Sequence, residues 1–132
     1  MDIVGKIDIN LYKCITEDIQ SDKVIITDKQ IEHIKENHPT DYEKYFEYAL
    51  QAVQNPDYIM EANKPNTAVI LKHICDNGKN YKLILRLKTS ADPAKYENSV
   101  ITFFKTDDKK WRQYIRTKKI LYSVSNPIDN TE

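Results

Sequence analysis

Asn77-Gly78 stands between two runs of apolar and β-branched residues, 67–74 and 81–88. Asn-Gly accepts the positive φ angles of tight hairpin turns at little cost, and a β-branched side chain fits the pleat better than a helix. The pattern predicts an antiparallel hairpin. Residues 99–104, Ser-Val-Ile-Thr-Phe-Phe, read as a further strand. Residues 119–122 read as an edge strand, and 58–61 as an extended segment.

The front half carries the helices. Thr27 and Gln30 have capping-box spacing, with Ile31 and Ile34 as a partial apolar stripe that Pro39 stops. Tyr45, Tyr48, Ala49, Ala52 and Val53 recur at spacings of three and four, behind a cap at Thr40 or Asp41. Asn55-Pro56-Asp57 ends that helix. Residues 107–115, with Trp111, read as a short helix. Residues 5–15 fit a strand through the parity of Ile7, Ile9 and Leu11, or a helix beginning near Asn10. Helices followed by a strand meander predict an α+β fold, with helices packed on one face of an antiparallel sheet.

The 132 residues amount to one domain, and 40% apolar with 30% charged residues is a globular mixture. The longest apolar runs fall far short of the ~20 residues of a membrane span, so no membrane partner is expected. Met1 to Gly5 lacks the basic and apolar regions of a secretory signal, which points to a cytoplasmic protein. Two glycines cannot build a P-loop or a dinucleotide fingerprint. Cys14 and Cys75 form neither a disulfide framework nor a zinc motif, and no metal or cofactor is expected. The zero net charge is divided: residues 1–60 carry 6 Lys/Arg against 12 Asp/Glu, residues 61–132 carry 14 against 8. Such a division allows one basic face on a neutral molecule, or lysines that simply solvate a sheet.

His33 and His38 lie about 140° apart on an ideal helical wheel. They converge only if the chain leaves the helix at Asn37-His38-Pro39. Paired imidazoles near one phosphate can act as base and acid at neutral pH. The alternative is a packed His33 and a polar turn residue at His38. Arg86 interrupts Leu83-Ile84-Leu85 and Leu87, and strand alternation turns it, with Ile84 and Lys88, away from the leucines. It is either a solvent-facing residue or a phosphate fork, with Lys72 on the partner strand beside it. Ser99 and Thr102 place hydroxyls in an apolar strand, to bond the backbone or to position a phosphate. Lys105 follows directly after this strand.

The run Val24-Ile25-Ile26-Thr27 through Ile31-Glu32-His33-Ile34-Lys35-Glu36-Asn37-His38-Pro39 resembles the "T…HI…HP" opening of the phage-associated barnase–EndoU–colicin–RelE-like nucleases. Asn55-Pro56-Asp57-Tyr58-Ile59, Leu71-Lys72, Leu85-Arg86-Leu87 and Asn98-Ser99-Val100-Ile101-Thr102-Phe103 follow in family order. The family often has a basic residue before the second histidine, where this chain has Asn37. The resemblance implies N-terminal helices on a four-stranded antiparallel sheet, with residues 24–122 as the nuclease-like domain, 1–23 as an N-terminal extension and 123–132 as a flexible tail. It implies metal-independent endoribonuclease activity through attack of the ribose 2′-OH. His33 and His38 would be base and acid, Arg86 would stabilise the phosphorane, and Thr102 would orient the phosphate. Lys72, Lys88, Ser99 and Lys105 would bind substrate. The implied partners are RNA, tRNA included, and an immunity or antitoxin protein. The implied setting is a bacterial cytoplasm, or a target cell reached with phage or mobile-element components. The alternative is a non-catalytic module that binds RNA or protein.

Overall fold

The structure, a computed structural model, describes residues 2–124. Its strands are β1 (Asp2–Lys6), β2 (Lys23–Ile26), β3 (Tyr58–Glu61), β4 (Thr67–Ile74), β5 (Lys79–Arg86), β6 (Asn98–Thr106) and β7 (Ile120–Ser123). The helices are α1 (Ile9–Tyr12), α2 (Asp28–Asn37), α3 (Tyr42–Gln54) and α4 (Asp108–Thr117). The strands form one sheet in the order β1-β2-β6-β5-β4-β3-β7.

The expected hairpin is β4–β5, paired from Thr67 opposite Arg86 to Ile74 opposite Lys79. Gly78 takes φ 68°, and its N–H donates to the Ile74 carbonyl at 2.9 Å. An L side chain at this φ would be strained. The second strand begins two residues earlier than expected, because the turn needs only residues 75–78.

Among the described residues seven strands, not four, make the sheet, and it is not wholly antiparallel: β2 runs parallel to β6. The sequence neighbours β1–β2, β3–β4, β4–β5 and β5–β6 pair antiparallel, but β6 returns to β2 only after the whole meander, and a long connection permits a parallel pair. Residues 2–22, read as an extension, contribute β1 as an edge strand and α1 as a core element. The helix alternative holds for Asn10 onward, because Asp8 caps α1 by accepting from the Asn10 N–H. Tyr12 is fully buried and donates its hydroxyl to the Val53 carbonyl at 2.7 Å. Of the expected tail, Ser123 belongs to β7, and residues 125–132 lie outside the described residues.

Helices cover both faces. The larger core joins α1, α2 and α3 to Ala68, Ile70, Leu83, Leu85, Val100 and Phe103. The alternate residues Val69 and Leu71, with Met60, form a second core under Trp111, Tyr114 and Ile115 of α4. Helices on one face only, the sequence expectation, is thereby corrected. A strand covered on both faces needs apolar residues at every position, which accounts for Val69-Ile70-Leu71. Among the described residues no helix is long and apolar enough to cross a membrane.

Asn98, at the start of β6, is fully buried. Its amide nitrogen donates to the Ser21 and Lys23 carbonyls, each at 2.7 Å, and its oxygen accepts from the Lys88 N–H at 2.7 Å. Asn98→Ala would leave two carbonyls and one N–H unpaired, at about 1–3 kcal/mol for each group that water does not reach. Asn98→Asp would set a carboxylate against two carbonyl oxygens. Urea unfolding is expected to show a loss of about 3 kcal/mol for Ala, and a larger one for Asp at pH 7.

Candidate active site

Thr27 caps α2, its hydroxyl accepting from the Gln30 N–H at 3.3 Å. The helix ends at Asn37, and His38 leaves it at φ −136°, ψ 62°, as a residue before proline should. This departure overcomes the 140° separation on the wheel. His33, exposed on α2, and His38, on the turn, line one open cavity of about 320 Å³. The His38 ring stacks on Tyr45 of α3 with 3.6 Å between centroids. Its Nδ1 lies 3.6 Å from an Asp41 carboxylate oxygen. Burial, and next the neighbouring Tyr81, raise the Tyr45 hydroxyl well above its ordinary pKa. Tyr45 is the stacking platform of the His38 ring.

The other wall of the cavity is β6. Strand β2 pairs with β6 only from Asn98 to Val100. Beyond Val100 that edge pairs with no strand among the described residues, and residues of α2 face it across the cavity. Phe103, Phe104 and Lys105 complete the cavity with Gln30 and Asn37. Lys105, exposed, lines the same cavity as the two histidines.

The remaining expected residues lie elsewhere. Thr102 pairs with Ile84, and both occupy the α4 side of the sheet, as does Arg86. Alternation puts Phe103 on the helix side with α2 and α3, so Thr102 and Arg86 face away from the histidines. The expected meeting of His33, His38, Arg86 and Thr102 in one cleft does not occur. Arg86 is also engaged: its guanidinium holds both Asp92 carboxylate oxygens, at 2.9 and 3.2 Å, and donates to the Leu87 carbonyl. Lys72 sits on the helix side of β4, 3.5 Å from Asp57, and not beside Arg86. Five residues of strand, about 17 Å, separate their positions along the hairpin. Lys88 donates to the Ala94 carbonyl at 2.6 Å, and the buried Ser99 hydroxyl donates to the Glu97 carbonyl at 3.0 Å. Trp111 packs edge-on against Tyr58 in the smaller core.

Nothing in the sequence marks Gln30, a capping-box residue, or Tyr45 as lining the site. Tyr45 was legible only as one member of an apolar stripe, and its place under His38 depends on the angle at which α3 meets α2.

Two histidines and a lysine thus line one open cleft at the edge of an α+β sheet. Residues 1–123 match the family model of the phage-Barnase-EndoU-ColicinE5/D-RelE like nuclease 2, PBECR2, and the chain belongs to this family. No curated protein and no solved structure matches it.

The Arg86–Asp92 pair fastens the loop between β5 and β6. Asp92 also accepts from the Thr89 N–H at 2.7 Å, and this bond first, then Arg86, holds its carboxyl below the ordinary range. A depressed folded-state pKa contributes stability above the unfolded value of about 4 and loses it as pH falls through the folded value. Asp92→Asn is therefore expected to unfold more readily than wild type at pH 7. The gap should narrow below about pH 4, as read by urea midpoints across the range.

Proposed function

We propose that the chain is a metal-independent endoribonuclease and that the α2–β6 cleft is its catalytic site. The observation that carries this reading is the single cavity lined by His33, His38 and Lys105. One histidine takes the proton of a ribose 2′-OH as its oxygen bonds to the adjacent phosphorus. The other gives a proton to the departing 5′-oxygen as the P–O5′ bond breaks. The products are a 2′,3′-cyclic phosphate and a 5′-hydroxyl. Lys105 offsets the extra negative charge of the phosphorane, from β6 rather than from position 37, where Asn37 stands. Asp41 beside Nδ1 favours the tautomer protonated there and leaves Nε2 of His38 free to exchange the catalytic proton, and the Tyr45 stack fixes the ring plane. Arg86, Thr102, Lys88 and Ser99 act in this reading on the loop and on the opposite face, not on the reacting phosphate. A toxin-like, phage- or mobile-element-associated setting, with an immunity protein and RNA targets such as tRNA in a bacterial cytoplasm, rests on the family resemblance.

Arg86, held by Asp92 on the far side of the sheet, favours a second reading: a non-catalytic module that binds RNA or protein. Purified protein incubated with total tRNA and rRNA in EDTA separates the two. The nuclease reading expects new 2′,3′-cyclic phosphate ends. His33→Ala and His38→Ala should each lower the rate about 10²–10⁴-fold, as loss of one acid–base group does. A 2′-deoxy substitution at the cut site should stop cleavage. Intact RNA under all conditions, with RNA affinity unchanged in His33→Ala, would establish the binding module. Cleavage that requires magnesium or leaves 3′-hydroxyl ends would refute the mechanism.

A further inference from the structure

Residues 105–119 hold seven Lys/Arg and two Asp. In α4 the apolar stripe Trp111, Tyr114 and Ile115 is spent on the smaller core, so Lys109, Lys110, Arg112 and Arg116 are left exposed. Beside this helix, on the same face, opens a cavity of about 580 Å³. Val69, Ile84 and Ile101 give it apolar surface, and Lys64, Lys82 and Lys118 bring cations. Among the described residues no acidic side chain lines it, and none of these three lysines has a carboxylate partner. Arg86 also lines it, with its charge already matched by Asp92.

Two details give this surface a direction. Ile84 pairs with Thr102 and Leu85 with Val100, so Ile101 is the extra residue of a β-bulge and stands 43% exposed. A bulge re-aims a side chain, and here it turns an apolar one toward the cationic cavity. Phe104, 39% exposed, lines the histidine cavity. The Lys82 ammonium lies 5.8 Å from the Phe104 ring centroid and 4.4 Å from that of Tyr114. Lys82 and Phe104 thus join the basic cavity on one face to the histidines at the edge of β6.

We infer that the basic cavity and α4 form a second binding surface, for single-stranded RNA, from which the strand passes over Phe104 to the histidine cleft. Lys64, Lys82 and Lys118 hold phosphates, and unpaired bases rest on Ile101 and Phe104. Ammonium groups spaced around an apolar ledge match the alternation of phosphate and base along a single strand, whereas a duplex hides its bases. The choice of RNA rests on the ribonuclease reading.

The test uses a fluorescein-labelled 12-nucleotide oligouridine and the full chain carrying His33→Ala, with fluorescence anisotropy as the readout. In that background Lys64→Ala/Lys82→Ala/Lys118→Ala should weaken binding at least tenfold. It should also flatten the salt dependence by about 2 in log–log slope, three contacts at about 0.7 each. Ile101→Ser should weaken the single strand severalfold with the slope unchanged, and should leave a 12-base-pair RNA duplex unaffected. Lys64→Gln/Lys118→Gln keeps the Lys82 stack and should show about two thirds of the slope change, two contacts of three, with thermal unfolding as the control for folding. Parental affinity in the triple variant would overturn the surface. So would equal competition by a polyglutamate peptide of the same charge, which would mark an acidic protein partner. RNA bound through these lysines but never cut by wild type would overturn only the ribonuclease reading. RNA cut in EDTA, with the triple variant binding as its parent, would overturn only this surface.

Discussion

The side chain of Asn98 holds together three pieces of chain: the segment leading into β2, the chain leaving β5, and the first residue of β6. A fully buried amide with two donors and one acceptor in use can fit only one arrangement of those pieces, since carbonyls only accept and the N–H only donates. The arrangement sets β2 parallel to β6 and limits their pairing to three residues of β6. The short overlap leaves the rest of that β6 edge open. Because α2 follows β2 directly, it falls beside the open edge and brings the histidines to Phe103 and Lys105. The same junction fastens the β5–β6 loop, which Gln20 grips by donating its N–H to the Lys88 carbonyl and Ser21 by bonding Glu97.

The sheet separates two kinds of chemistry. On one face the helices of the acidic front half cover the larger core and place the imidazoles at its margin. On the other, a single amphipathic helix of the basic back half covers a smaller core and leaves cationic surface around it. A formal net charge of zero is thus the sum of two oppositely charged regions. A polyanion that approaches the basic face meets attraction there without strong adhesion to the rest of the molecule.

The His33–His38 pair shows how much of a site local rules can reach. Thr27, Pro39 and the spacing between the histidines were enough to place one on a helix and the other just beyond it. The Arg86 parity was equally readable: the leucines of β5 face the core, so Arg86 does not. The missing step was that α2 packs on the leucine side, which puts Arg86 and the histidines on different faces. That step depends on the side of the sheet to which the chain crosses after β2. The Asp92 partner of Arg86 lay six residues away in a loop with no periodicity to betray it.

Local chemistry in the sequence determined the hairpin at Asn77-Gly78, the capped start of α2 and its stop before Pro39, the apolar stripe of α3, and the helical character of 107–115. Each depends on φ preferences, hydrogen-bond caps or side-chain period within a few residues. Only the tertiary structure decided that β2 lies parallel to β6, that α4 takes the opposite face, and that residues 2–22 join the sheet and core. It also decided which cations meet the histidines. These outcomes turn on pairings across long stretches of chain. There one buried amide and the closing of two apolar faces outweigh anything a local pattern encodes.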